Sequence, residues 1–484
     1  MIELTDLDRK IKQVFPQESL LKIKENYSVF EGKNLPSFIK DWLIKKFTDE
    51  DDKVDKEALL EFMEKHIPQK GTEKKFKGSI MYDRKPVKIL SRVIIEPDIK
   101  KGIFRFSIPE LGINFYEGKV IEFILDKNPE LKGGEVWGIL TLQYIEDNEN
   151  FIALIDYKPF KPYEIDLEYY KEGRKNFTIE EWIDLLIRSM EYNPNGFDSL
   201  EQKLLFISRL LVFVEPRVNM IELAPKGTGK SYIFNNLSKY GWCVSGGKVT
   251  RAKMFYDMQK NTPGFITRYD FVAFDEVQTI EFSNDEEMKA ALKNYLEMGK
   301  FTIGNYSGQS NAGFILLGNI RLDRDMTPLN KIYFSELPEA FHESALFDRF
   351  HGFIEGWRLP RIREDLKIRG YALNVEYFTE ILHNLRDCSE YATITEELLE
   401  IPDKADTRDT NAIKRLTTGY LKLLFPHVKS IDDIDRNEFE IFCLKPALEK
   451  RAIIRKQLHL MDPEYKEELP DIKIRKIKNK MIIH

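Results

Sequence analysis

A chain of 484 residues with 42% hydrophobic and 32% charged side chains exceeds what one core organises, so two to four domains are expected and a single small binding module is excluded. The same balance excludes a mainly disordered, collagenous or membrane-spanning chain. Lys plus Arg total 74 against 80 Asp plus Glu, a formal charge of -6, so a polyanion must be met by a local basic surface. Three cysteines, Cys243, Cys388 and Cys443, are too few for a disulfide framework or a four-ligand zinc site, which points to a reducing compartment. The polar N-terminus lacks the apolar stretch of a signal peptide, so a cytoplasmic protein with no membrane partner is expected.

Residues 1–65 read as a helical subdomain. Leu20, Leu21 and Ile23, then Leu43 and Ile44, recur at helical spacing, and 57–66 forms a short amphipathic helix. Residues 65–92 carry nine basic side chains against two acids, and Lys74, Lys75, Lys77, Arg84 and Lys85 among them are candidate contacts to a nucleic-acid backbone. The stretch opens a series of strands predicted at 93–95, 102–108, 119–125, 136–145 and 151–157, punctuated by Asn128-Pro129 and Gly133-Gly134. Five short strands between turn signals predict an OB-like β-barrel over 66–175. A generic β-subdomain with a solvated basic rim fits the same pattern.

A helix follows over 178–192, where Thr178 and Glu181 have capping-box spacing. A second apolar helix over 199–214 is stopped by Glu215-Pro216. From Arg217 onwards strand and helix alternate as in an α/β domain, giving a core over 176–360.

The chemistry is concentrated there. The apolar run 218–223 leads into Ala224, Pro225, Lys226, Gly227, Thr228, Gly229, Lys230 and Ser231, the phosphate-loop arrangement in which glycines let backbone N–H groups approach the phosphates. Lys230 is expected to reach the β and γ phosphates of ATP and the Ser231 hydroxyl to bind Mg²⁺. Ala224 stands where the first glycine is usual. A second apolar run, 271–274, ends in Asp275 and Glu276. These suit a Walker B element, Asp275 holding Mg²⁺ through water and Glu276 polarising the attacking water. A third, 314–317, ends at Gly318-Asn319, and the Asn319 amide can orient that water. Arg349 follows a short apolar helix, a place from which an arginine can stabilise phosphoryl transfer in a neighbouring subunit. The order of the four elements is that of AAA+ ATPases. A helix over 407–424 suits the small lid, with Arg415 the candidate for contact with the γ-phosphate and Lys414 or Arg358 as alternatives.

Longer blocks carry a closer likeness. Residues 222–231, Tyr240-Gly241-Trp242 with Ser245-Gly246-Gly247, the run 251–257, and 268–279 around Asp275-Glu276 resemble the Lon-related AAA+ proteins of BREX phage-defence systems, the BrxL family. The resemblance spans roughly 175–460 and implies a ring, hexameric or a stacked double hexamer, that binds ATP and DNA in phage defence alongside other BREX proteins. It implies an N-terminal region of MCM-like organisation. The fold class expected is therefore multidomain, α/β and β: a helical plus OB-like barrel N-terminal region, an AAA+ P-loop core, a helical lid over 361–430, and a C-terminal helix and basic tail over 431–484. About sixty residues follow the lid, so no protease activity is expected from this chain.

Between the Asp-Glu strand and Asn319, 301–312 reads as two strands around a Ser307-Gly308 turn. In MCM-like rings a hairpin here enters the channel, so Tyr306 and Gln309 are candidate DNA contacts, although a plain connecting hairpin fits too. Arg251 and Lys253, ahead of an amphipathic helix, are further candidates for backbone contacts. The basic tail of Lys473, Arg475, Lys476, Lys478 and Lys480 is a second basic feature. The leading expectation is a DNA-binding ATPase whose hydrolysis drives loading, translocation or remodelling. A protein unfoldase and a nucleotide-locked DNA clamp are the alternatives.

Overall fold

The structure, a computed structural model, describes residues 3–68, 71–133, 135–146, 149–259 and 262–476. Gly134, Lys478 and Lys480 of the sequence reading lie outside them, as does Lys70, one of the nine basic residues of 65–92. Near the N-terminus, Leu20 and Leu21 belong not to a helix but to strand β1 (Ser19–Lys22), which pairs antiparallel with the strand Gly370–Leu373. Backbone pairing to a distant segment overrides the local spacing. Helices Ser37–Lys46 and Lys56–His66 follow, the second close to the 57–66 expected.

The basic segment does not lead straight into strands. Its middle is a helix, Glu73–Asp83, anchored by Phe76 and Ile80, one turn apart and buried in the barrel core. Strands β2 (Val87–Asp98), β3 (Ile103–Ile108), β4 (Ile113–Val120), β5 (Glu135–Ile145) and β6 (Phe151–Pro159) then close a five-stranded barrel in the order β2-β3-β4-β6-β5. Every pairing is antiparallel except β4 with β6. The strand expected over 119–125 is divided: β4 ends at Val120, and Glu122–Lys127 is a helix that turns Ile124 and Leu125 into the barrel core.

The capping box at Thr178 is present. Glu181 N donates to Thr178 Oγ1 at 3.2 Å and Thr178 N donates to Glu181 Oε2 at 2.9 Å, opening the helix Ile179–Ser189. Next come β7 (Asn219–Leu223), β8 (Gly241–Val249), the two-residue ladder of β9 (Tyr256–Asp257) with β10 (Thr262–Pro263), β11 (Phe271–Phe282), the hairpin of β12 (Lys300–Ile303) and β13 (Tyr306–Gln309), β14 (Gly313–Gly318) and β15 (Gly352–Glu355). Five of them form an all-parallel sheet in the order β15-β7-β14-β11-β8. Its central strands are largely apolar, β14 throughout and β11 over Phe271, Val272, Ala273 and Phe274, because both faces of the sheet are covered.

The hairpin turns at Gly304-Asn305 rather than at Ser307-Gly308: Ile303 pairs with Tyr306 and Lys300 with Gln309. Gly304 has φ +56°, which a two-residue hairpin loop requires at its first position and which glycine alone adopts freely. β16 (Gly370–Leu373) receives β1, and the helix Thr407–Leu424 coincides with the expected lid helix. A long helix, Lys445–Met461, follows, and beyond it Lys473–Ile474 is strapped to Leu399–Glu400. One apolar cluster joins the N-terminal helices to the helices flanking the sheet and to the lid, a second lines the other face of the sheet, and a third fills the barrel. Among the described residues no helix is long and apolar enough to cross a membrane.

Candidate nucleotide site

β7 delivers the loop. All five of its residues are buried, and Ala224 follows with its N–H on Gly318 O at 3.1 Å. The methyl of Ala224 replaces the usual glycine hydrogen without obstruction because Gly356 faces it: a Cβ on Gly356 would lie 2.3 Å from that of Ala224. The small residue here is Gly356, immediately after β15. Gly227 and Gly229 take φ +86° and +77°. At Gly229 a side chain is excluded, since its Cβ would stand 1.9 Å from the Tyr192 hydroxyl. Helix Lys230–Asn236 begins directly after the loop.

Two buried side chains set the shape of the loop from below. Arg209 and Glu222, neither with exposed side-chain surface, form a bidentate pair, Nε to Oε2 at 2.9 Å and Nη2 to Oε1 at 2.5 Å. The remaining arm, Arg209 Nη1, donates to Thr228 O at 3.1 Å, inside the loop. From above, Ile362 N donates to Gly227 O at 2.7 Å. Sequence reasoning passed over Arg209, Glu222 and Tyr192. The available signal was a single charged residue inside each of two largely apolar runs, 204–214 and 218–223.

Lys230, Asp275, Glu276 and Asn319 come together here. Lys230 Nζ donates to Asn319 Oδ1 at 3.0 Å, and burial holds its ammonium below its ordinary pKa against the raising fields of Glu222 and Asp275. Asp275 is buried; its Oδ1 accepts from Glu276 N at 2.9 Å, while its other oxygen makes no hydrogen bond among the described residues. The register of β11 on β8 shifts after Asp275, and Glu276 adopts φ +48° with its side chain exposed. A non-glycine residue in the left-handed region is strained, and such strain concentrates at functional sites. Gln278 then clamps the end of β14 by both ends of its amide: Nε2 donates to Asn319 O at 2.8 Å and Oε1 accepts from Asn319 N at 3.3 Å. No role had been read for Gln278 in the sequence.

Other candidates lie elsewhere. Arg415 does not reach the phosphate loop: its guanidinium donates to Pro216 O and lies 3.6 Å from Glu215, before the start of β7, at the end of the sheet opposite the loop. The lid helix is in the place expected, but that face of it packs on the base of the core. Arg349 also lies at that far end, three residues before β15, in an ion pair with Glu297 at 2.9 Å. Arg408 pairs with the same Glu297 and with the buried Asp348, and the buried Arg451 pairs with Asp348 and Asp409. Arg251 lies within the short helix Arg251–Met254 and pairs with Glu287, whereas Lys253 is exposed. Tyr306, which pairs with Ile303 next to the turn, has its ring stacked on Tyr256, centroids 3.7 Å apart; Gln309 lies at the far end of β13 and is exposed. In the barrel region Lys74, Lys75 and Lys85 are exposed, but Lys77 donates to Gly112 O at 2.6 Å and pairs with Glu117, and Arg84 pairs with Glu146. In the tail, Arg475 binds Leu398 O and Leu399 O rather than projecting freely.

A parallel sheet with a phosphate loop on one strand, an Asp-Glu pair two strands away and an asparagine on the strand between defines a P-loop ATPase domain. Two family models match the chain: the ATPase domain of Lon-like protease BrxL-like proteins over residues 152–471, and the N-terminal domain of the BREX system Lon protease-like protein BrxL over residues 13–144. The chain belongs to the BrxL family. It is similar to the Lon-like protease BrxL of Escherichia coli O9:H4 (strain HS), 29% identical over 460 residues, which cover 94% of this chain and 65% of that protein. The Lon-like protease BrxL of Bacillus cereus (strain H3081.97) is 28% identical over 439 residues, 88% of this chain and 63% of that one. The chain thus spans just under two thirds of the length of these relatives.

Replacing Gln278 by Ala removes both clamps on Asn319 while leaving every loop residue in place. ATP turnover is expected to fall on the order of 10-fold to 100-fold through misplacement of the asparagine, with nucleotide affinity within about two-fold. Steady-state rates set beside a titration with fluorescent ATP check this.

Proposed function

We propose that the chain is a Mg²⁺-dependent ATPase that works as a ring on DNA. The observation that carries the ATPase reading is the convergence of Lys230, Asn319 and the Asp275-Glu276 pair at one end of the sheet. Lys230 would meet the β and γ phosphates, and its hydrogen bond to Asn319 would be exchanged for them. Ser231 and Asp275 offer two hard oxygen donors, one carboxylate oxygen of Asp275 being unengaged, which suits an ion that arrives with the phosphates and keeps several waters. When bound, Mg²⁺ would neutralise charge developing on the phosphates. Glu276, exposed and turned out by its left-handed backbone, would draw the proton from the attacking water while Asn319 orients that water. Glu276→Gln should keep ATP affinity within about three-fold and lower turnover at least about 100-fold. An unchanged rate in a phosphate-release assay would move the base elsewhere.

Arg349 is proposed to serve a neighbouring subunit, since it lies at the end of the sheet away from its own phosphate loop. A hexamer or stacked double hexamer acting with other BREX proteins is part of the same proposal. For DNA, the support is a closed barrel whose strand order, parallel β4–β6 pair and intervening helix fit an OB-type barrel, beside a helix bearing exposed Lys74 and Lys75. The stacked Tyr306 and the small Gly304-Asn305 tip give no aromatic paddle for gripping peptide. Lys77 fastens its helix to the barrel, so Lys74, Lys75 and Lys85 are the residues to replace. The triple change to Glu should weaken duplex binding and reduce the slope of log affinity on log salt by about 0.9 for each lost phosphate contact. Titrations at several salt concentrations test it, and an unchanged affinity and slope would place the DNA surface elsewhere.

A further inference from the structure

Behind the phosphate loop lies a buried polar cluster assembled from three distant parts of the chain. Lys22 comes from β1, Tyr27, Ser37 and Asp41 from the segment that follows, Glu191 from just past the helix Ile179–Ser189, and Tyr232 from the first turn of the helix after the loop. Lys22 Nζ lies 2.7 Å from Asp41 Oδ2 and 3.4 Å from Glu191 Oε1. Tyr27 donates to Asp41 Oδ1 at 2.5 Å, and Asp41 Oδ2 accepts from Val375 N at 2.8 Å. The other oxygen of Glu191, Oε2, receives Ser37 Oγ at 2.6 Å and the hydroxyl of Tyr232, those two hydroxyl oxygens being 2.8 Å apart. Lys22, Ser37 and Asp41 are fully or almost fully buried.

Two features give the cluster a direction. Tyr232 is the residue after Ser231, so its hydroxyl bond to Glu191 fixes the turn that presents the Ser231 hydroxyl. Glu191 itself has φ +72°, a strained conformation for a carboxylic side chain. The next residue, Tyr192, places its hydroxyl where a Gly229 side chain would be. Adjacent residues therefore touch the loop at Gly229 and its helix at Tyr232, while the same Glu191 is held by the N-terminal Lys22 and Ser37. Packing alone would not need a charged group here, because an apolar replacement of equal shape is usually at least as stable as a buried ion pair.

The geometry points to Glu191 and Tyr232 as positioning residues that set the Ser231 turn and tie it to the N-terminal segment, so that a shift of that segment alters how Mg²⁺ is held with the nucleotide. This rests on the ATPase reading of the same site. The test is Mg²⁺-dependent ATP turnover in the full chain carrying Tyr232→Phe, Ser37→Ala or both, with thermal melting measured in parallel. Tyr232→Phe deletes one hydroxyl and keeps the ring. It should lower turnover about 10-fold and raise the Mg²⁺ concentration for half-maximal activity several-fold, the range seen for partners that orient a ligand-bearing group, with little change in ATP affinity. Ser37→Ala should act in the same direction, and the double variant should be no worse than the more damaging single one, because both hydroxyls act through one carboxylate oxygen. An unchanged Mg²⁺ requirement in Tyr232→Phe, or effects that multiply in the double variant, would overturn the proposal while leaving the ATPase reading intact. A wild-type chain that binds no ATP and releases no phosphate would remove that reading first, and this one with it.

Discussion

The ion pair of Arg209 with Glu222 is the constraint on which the site depends. A guanidinium and a carboxylate without exposed surface are stable together only when their hydrogen bonds are used up, and here the third arm of Arg209 is used on the carbonyl of Thr228. The pair thus converts an electrostatic necessity into a shape: the phosphate loop cannot flatten without leaving an N–H of a buried guanidinium and the Thr228 carbonyl unpartnered. Breaking such a pair from one side costs about 3–5 kcal/mol, comparable to the whole stability margin of many domains. With the loop fixed from below by Arg209 and from above by Ile362, its N–H groups remain directed at the space where phosphates would lie.

Sheet order supplies the rest. Because β14 runs between β7 and β11, Asn319 ends beside both Lys230 and the Asp275-Glu276 turn, and the Gln278 clamp joins the last two strands across their ends. All-parallel pairing puts the three chemically active strand ends at one edge. By the same rule it sends Arg349, which precedes β15, to the other. The position of Arg349, away from the phosphate loop of its own chain and paired with Glu297, is a consequence of strand direction.

Much of this was legible in the sequence because the signals were local. A glycine-containing loop after an apolar strand, two acids at the end of another, and Thr178 with Glu181 at capping distance each depend on a few consecutive residues. The helix Thr407–Leu424 was readable from its periodicity for the same reason. What escaped was set by distant partners. β1 looks helical until Gly370–Leu373 is beside it. Residues 119–125 divide into strand and helix because Ile124 and Leu125 must cap the barrel core. Arg415 was named as a phosphate contact because the lid was expected near the nucleotide, yet that face of its helix meets Glu215 and Pro216. Glu222 was visible as a lone acid in an apolar run, but its meaning required Arg209, thirteen positions earlier and on another element.

Arg209 holds the loop directly rather than only through a stable core, and a double variant separates the two. Arg209→Met together with Glu222→Met removes both charges and fills the space with apolar side chains, which should keep the melting temperature near that of the wild type. Thr228 O nevertheless loses its partner, so the affinity for Mg²⁺·ATP, measured by calorimetric titration on the same preparation, is predicted to fall at least about 10-fold, or ~1.4 kcal/mol. A double variant that melts like the wild type and binds Mg²⁺·ATP equally tightly would contradict the account.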